Sequence, residues 1–167
     1  ADVVIGITAS GNTPFTCAVM RIAKETDALT IGITSNPEGK MNDLCSHLIL
    51  TKSGSESLLG STRLSAGTLQ KIVLNLLSTH TMMLLGRTFG NAMIYLRPSN
   101  NKLCERQLRL LTQLVNIDDK EGQALIESVD WNLPLALLKT KGLSLKEAQQ
   151  AIDKEIPFND LWWSVSK

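Results

Sequence analysis

Residues 3–7, Val-Val-Ile-Gly-Ile, carry four β-branched side chains and no polar one, the pattern of a strand buried on both faces of a parallel sheet. The run breaks at a Ser-Gly-Asn-Thr turn, Ser10 to Thr13, and restarts at Pro14, whose fixed φ suits a first helical position. Cys17, Ala18, Met20, Arg21, Ile22 and Ala23 continue at helical spacing. Leu29 to Thr34 predicts a second strand, Ser35 to Asp43 reads as a loop, and His47 to Thr51 predicts a third strand. Two β-α-β steps imply parallel strands with right-handed crossovers, and ligands in such sheets gather at the carboxyl ends of the strands. Ser10, Thr34, Ser35, Thr51 and Ser53 stand at or just past those ends. Three strands are few for a doubly wound sheet, so further strands are expected before Ala1 or from a partner.

A stretch of glycine and small hydroxyl residues, Lys52 to Thr68, leads into a long helix. Leu69, Ile72, Val73, Leu76, His80, Met83 and Leu84 fall along one side of it. His80 lies on that apolar stripe and is expected as a buried, hydrogen-bonded histidine. Lys102–Val115, Asp118–Val129 and Ser144–Ile152 predict three more helices, the last opened by a capping box of Ser144 and Glu147. Phe158, Leu161, Trp162 and Val165 form a closing stripe, to be covered by another subunit or by the chain's own helices. No internal repeat or low-complexity tract is visible.

Chemistry enters at the turn. The first N–H groups of a helix lack intrahelical partners, and the helix dipole favours an anion there. Ser10 and Thr13 add hydroxyls and Gly11 permits close backbone approach, so a phosphate suits the loop. The same residues also read as a plain βα turn with a capping threonine, and both readings stand at this point. A nucleoside triphosphate does not fit, because Asn12 occupies the place of the lysine that reaches the β- and γ-phosphates.

Bulk properties narrow the choice little further. The chain has 167 residues, ample for one domain with a helical appendix, and 43% are hydrophobic. A net charge of +1 gives no reason to expect nucleic acid or an acidic membrane surface. Cys17, Cys45 and Cys104 share no C-x-x-C spacing, so neither a disulfide framework nor a zinc site is expected, and the compartment reads as reducing cytoplasm. No apolar run is long enough to span a bilayer. The chain begins on a core strand without an initiator Met, as the middle or end of a longer polypeptide would.

Several stretches carry a resemblance: "DVVIGITASGNTPF", "TIGITSNPEG", "GSTRLSAGTLQKIVLNLLST", "GRTFGNAMI" and "NNKL". They are similar to the C-terminal half of the N-acetylmuramic acid 6-phosphate etherases, members of the sugar isomerase (SIS) family with the glucokinase regulatory protein branch close by. The similarity runs from about Asp2 to about Leu111, with a looser echo at "PLALLKTKGLSLKEAQQAI". It implies an α/β fold, a three-layer flavodoxin-like SIS domain with a parallel sheet that is partial here, over residues 1–96, and a helical part over 97–167. It also implies a phosphorylated amino sugar as ligand and removal of its lactyl group by elimination and hydration, with no metal or organic cofactor. By position, Ser10, Gly11, Asn12 and Thr13 match a sugar-phosphate loop, and Glu56, Ser61 and Arg63 match the glycine-serine-arginine segment. Homodimerisation, or pairing with an N-terminal half, is the implied association.

The chain departs from the family at two of these places. Asn12 stands where the family usually has arginine, and Ser65 where it has lysine. The family's catalytic glutamates lie upstream of the matched region, which leaves Glu56, and after it His80, as the candidates within the chain. The alternative function is a non-catalytic phosphosugar sensor of the glucokinase regulatory type.

Overall fold

The computed structural model describes residues 2–165. Three strands, β1 (Val3–Ile7), β2 (Leu29–Thr34) and β3 (His47–Leu50), form a parallel sheet in the order β1-β2-β3. Helix α1 (Pro14–Glu25) crosses from β1 to β2, and a 3-10 turn at Asn42–Leu44 precedes β3. The register pairs Gly6 with Gly32, and these two glycines floor the face on which α1 packs. A Cβ on Gly6 would lie 2.7 Å from Met20 Sδ, and one on Gly32 would lie 2.4 Å from Cys45 Sγ. Met20 and Met41 fill the room the missing side chains leave, and Cys17 completes this small core.

The opposite face differs from the sequence expectation for β1. Val3, Ile5 and Ile7 are 54%, 42% and 37% exposed. The cause is position: β1 is an edge strand, α1 covers only the side bearing Val4 and Gly6, and side chains alternate between faces along a strand. Helix α2 (Ser65–Leu84) follows as expected, yet only Ala66 in it is buried. Its stripe residues Ile72, Leu76, Met83 and Leu84 are exposed, and so is His80, against the expectation that it would be buried.

The chain divides into two compact units, Ala1–Ser78 and Thr79–Lys167, with the division inside α2. The second unit holds a two-residue-strand hairpin, β4 (Thr88–Phe89) and β5 (Ala92–Met93), followed by five helices. These are α3 (Asn101–Val115), α4 (Asp119–Glu127), α5 (Leu133–Thr140), α6 (Leu145–Ile152) and α7 (Phe158–Ser164). Every residue from Leu133 to Leu138 is buried, and α5 packs against α3, α4 and α6. Phe158, Leu161 and Trp162 are buried in the same core, so the closing stripe folds back on the chain's own helices.

A likeness between α4 and α6, not foreseen from the sequence, emerges here. Asp118 and Ser144 cap α4 and α6 in the same way, each side chain accepting from the backbone N–H of a glutamate three residues on. Lys120, Glu121, Gln123 and Ile126 recur as Lys146, Glu147, Gln149 and Ile152, and the buried Gly122 recurs as the buried Ala148. Each of these helices then turns through left-handed backbone, at Asp130 and Trp131 and at Glu155, into the buried helix that follows. Two helices of one design, α4 and α6, thus each precede a helix that joins the core of this unit.

Gly86, after α2, is where the hairpin segment meets α7. Its φ is +67°, its carbonyl accepts from Phe158 N–H at 3.2 Å, and a Cβ there would lie 2.3 Å from Pro157 Cα. Gly86→Ala therefore meets both backbone strain and a backbone clash. It is expected to destabilise the helical unit by about 2–4 kcal/mol, read from urea denaturation followed by tryptophan fluorescence. A loss below about 0.5 kcal/mol would mean that this contact is soft.

Candidate functional site

The turn between β1 and α1 is built by its own side chains. Gly11, at φ +67°, reverses the chain, and its N–H donates to Thr8 O at 3.3 Å. Thr13 takes the N-cap position of α1 but makes no side-chain cap bond. Its hydroxyl instead shares a 2.7 Å hydrogen bond with the hydroxyl of Thr8, itself 3.4 Å from Ser10 Oγ. Ser10 Oγ also accepts from Asn12 N–H at 3.2 Å. The threonine that should cap the helix is thus engaged by Thr8. The first turn of α1 keeps its N–H groups for another acceptor, with Pro14 removing one of them.

A second loop braces this one. Met41 N–H donates to Gly11 O at 2.9 Å, Ser35 N–H to Ala9 O at 3.1 Å and Asn36 Nδ2 to Ser10 O at 2.9 Å. Thr34, fully buried, sends its hydroxyl to Ala9 O at 3.2 Å. Gly11 and Gly39 meet back to back, a Cβ on Gly39 lying 2.6 Å from Gly11 Cα. Sequence reasoning named the hydroxyl residues but missed Asn36, Gly39 and Lys40. The signal available was the Asn-Pro-Glu-Gly run itself, whose Asn36 Oδ1 accepts from Glu38 N–H at 3.0 Å in an Asx turn.

Further along, Thr51 is buried, shares a 2.8 Å bond with Ser35 Oγ and donates to Thr34 O at 3.1 Å, so the ends of β2 and β3 are tied together. Glu56 does something specific at the start of α2. Its two carboxylate oxygens accept from the backbone N–H groups of Ser65 at 2.8 Å and Ala66 at 3.0 Å. These bonds, Ala66's first and Ser65's second, hold the carboxyl below its ordinary pKa. A carboxylate so held is a poor proton acceptor and a good helix cap. Among the described residues, the side chains of Ser61 and Arg63 make no hydrogen bond or ion pair, and no bond joins them to Ser10–Thr13. Burial pushes the Cys45 thiol up, and all three cysteines are free. No group of three or more His, Cys, Asp or Glu that could hold a metal ion occurs among the described residues. No helix among them is long and apolar enough to cross a membrane.

This geometry, a helix start without a side-chain cap at a strand end, lies within the segment of the family match. Residues 1–80 match the SIS domain. The resemblance drawn from the sequence is borne out, as is the α/β fold class. The chain is 41% identical, over 137 residues, to the N-acetylmuramic acid 6-phosphate etherase of Staphylococcus saprophyticus, covering 82% of this chain and 46% of that protein. It is 40% identical over 154 residues to the protein of that name from Microcystis aeruginosa, covering 92% and 50%. The Clostridium botulinum protein is 35% identical over 154 residues, covering 92% and 51%. The chain spans about half the length of these relatives.

The Glu56 cap in the SIS segment has a defined acid limit. Because its carboxyl is held below its ordinary value of 4.5, its contribution is fully present above that value and is lost as pH falls through the lower, folded value. Glu56→Gln is expected to lower thermal stability at neutral pH and to make the decline between pH 5 and about pH 3 shallower than in the unmodified protein. Parallel declines would mean that the cap contributes nothing to acid sensitivity.

Proposed function

We propose that this chain supplies the phosphate-holding part of an N-acetylmuramic acid 6-phosphate etherase, and that the whole protein removes the lactyl group by elimination followed by hydration. The observation that carries this reading is the clamped Ser10–Thr13 loop at a helix start with no side-chain cap. It occurs in a chain 35–41% identical to proteins of that name. The 6-phosphate takes the free N–H groups of α1 and the hydroxyl of Ser10. Ser61 and Arg63, whose side chains are uncommitted, contact the remainder of the phosphosugar. The sensor alternative draws no support from relatives that carry the etherase name.

Elimination needs one group to remove the proton α to the carbonyl-like carbon and another to protonate the departing ether oxygen. Glu56 suits neither role, since its oxygens are committed to two backbone N–H groups and its pKa is depressed. We place the acid and base outside residues 1–167, and the chemistry asks no metal or organic cofactor of this chain. The exposed faces of β1 and α2 suit pairing with a second copy or with the rest of an etherase, in the cytoplasm where such a sugar phosphate is held.

Ser10→Ala is expected to weaken binding of N-acetylmuramic acid 6-phosphate by about 1.5–3 kcal/mol, the worth of a hydrogen bond to a charged group, measured by calorimetry. Unchanged affinity would make the loop a structural turn. Residues 1–167 alone are expected to bind this sugar weakly and to release no lactate, since general acid and base help are each worth 10²–10⁴-fold. Lactate release near the rate of the whole enzyme would return the acid and base to this chain, with Glu56 and His80 first to test.

A further inference from the structure

By position Asn12 belongs with the ligand-binding residues, yet its carboxamide is already spent on the chain. Nδ2 donates to Ser10 O at 3.0 Å, and Oδ1 accepts from Lys40 N–H at 3.1 Å. Asn12 is thus a staple between two loops that are joined again by Met41 N–H on Gly11 O and by Asn36 Nδ2 on Ser10 O. Gly11 and Gly39 close the joint with backbone against backbone, so Lys40 cannot drift from the loop without breaking it.

The staple places a charge. The donors of the Ser10–Thr13 loop are neutral hydroxyl and N–H groups. Among the basic residues of this unit, Lys40 is the one whose backbone is bonded directly to the loop, and its side chain is exposed. Lys24 is committed elsewhere, its Nζ donating to Asp43 O at 2.8 Å. Of the acidic residues in this loop, Glu38 is exposed and held two residues from Lys40 by the Asx turn of Asn36, and Asp43 lies three residues beyond Lys40. A lysine ammonium is a point charge on a flexible four-carbon stem, able to lean over an anion seated at a helix start beside it.

We propose that Asn12 is a positioning residue that holds Lys40 as the cation of the phosphate site, a role that rests on the phosphosugar reading of the loop. Asn12 then serves the anion through Lys40 and does not touch it. Lys40 supplies both attraction at a distance and a charge-assisted hydrogen bond on contact, and Glu38 tempers it.

The test is titration calorimetry of N-acetylmuramic acid 6-phosphate against the protein at low and high salt. Lys40→Met is expected to weaken binding about three- to tenfold and to flatten its salt dependence, with Lys40→Arg restoring both. Asn12→Ala is expected to show the same two changes, and the double variant to bind no more weakly than Lys40→Met alone, because both substitutions remove one effect. Glu38→Gln is expected to tighten binding. Should Asn12→Ala fail to fold, the Lys40 and Glu38 variants decide, since their side chains lie on the surface. Binding and salt dependence unchanged in Lys40→Met overturn this inference while leaving the phosphosugar reading intact, as do losses that multiply in the double variant. Failure of the unmodified protein to bind the sugar phosphate overturns both.

Discussion

The contact between Gly11 and Gly39 is the constraint on which the site depends. Two backbones approach so closely that neither position can carry a Cβ, and only then can Met41 N–H reach Gly11 O and Asn12 Oδ1 reach Lys40 N–H. The loop after β1 is consequently shaped by the loop after β2. This is how a parallel sheet makes a binding edge: neighbouring strands end together, and the segments beyond them must satisfy each other's backbone groups or leave them bare. Here several of these groups are paired between the loops, while at the first turn of α1 Thr13 spends its hydroxyl on Thr8 and makes no cap bond.

The start of α2 is arranged the opposite way. Glu56 reaches across from the preceding loop and places both carboxylate oxygens on the N–H groups of Ser65 and Ala66. One helix start is left without a side-chain cap and the other is closed by a carboxylate, within the segment that matches the SIS domain. That contrast supports the proposed division of labour, in which α1 receives the ligand and the Glu56 cap holds the end of the Gly60–Ser65 segment that carries Ser61 and Arg63. A helix dipole already neutralised by a carboxylate has little left to offer a phosphate.

How much of this was legible in the sequence follows from which forces are local. The β-branched runs, Pro14 and the Ser144–Glu147 box act within a few residues, and β1, β2, α1, α3 and α6 stand where pattern reading puts them. Helix α5 was missed because a helix buried on all sides shows an unbroken apolar run and no 3.6-residue period. The hairpin at Thr88–Met93 is too short for alternation to register. At the site, Ser10, Gly11 and Thr13 were readable from the turn, but the roles of Asn12, Asn36 and Gly39 were not, because each is defined by a partner in another loop. The likeness of α4 to α6 escaped notice because it rests on a shared cap and a few matching positions within two short helices.

The two units also settle their apolar surface differently, and this bears on what each can do alone. The helical unit closes its core within itself: Phe158, Leu161 and Trp162 join Leu133, Leu137 and Leu138, and Phe89 packs edge-on against Phe158 at 5.5 Å. The SIS segment closes one face of its sheet, over Gly6 and Gly32, and leaves Val3, Ile5 and Ile7 open. A sheet whose β1 side chains are open on one face gains more from association than a closed helical core does, since burial of such area is the main favourable term available. The Ser10–Thr13 loop belongs to the unit whose sheet is open over β1. Its stiffness must therefore come from the hydrogen bonds between loops and not from a deep core, which is why so many polar side chains at the ends of β1, β2 and β3 are bonded to one another.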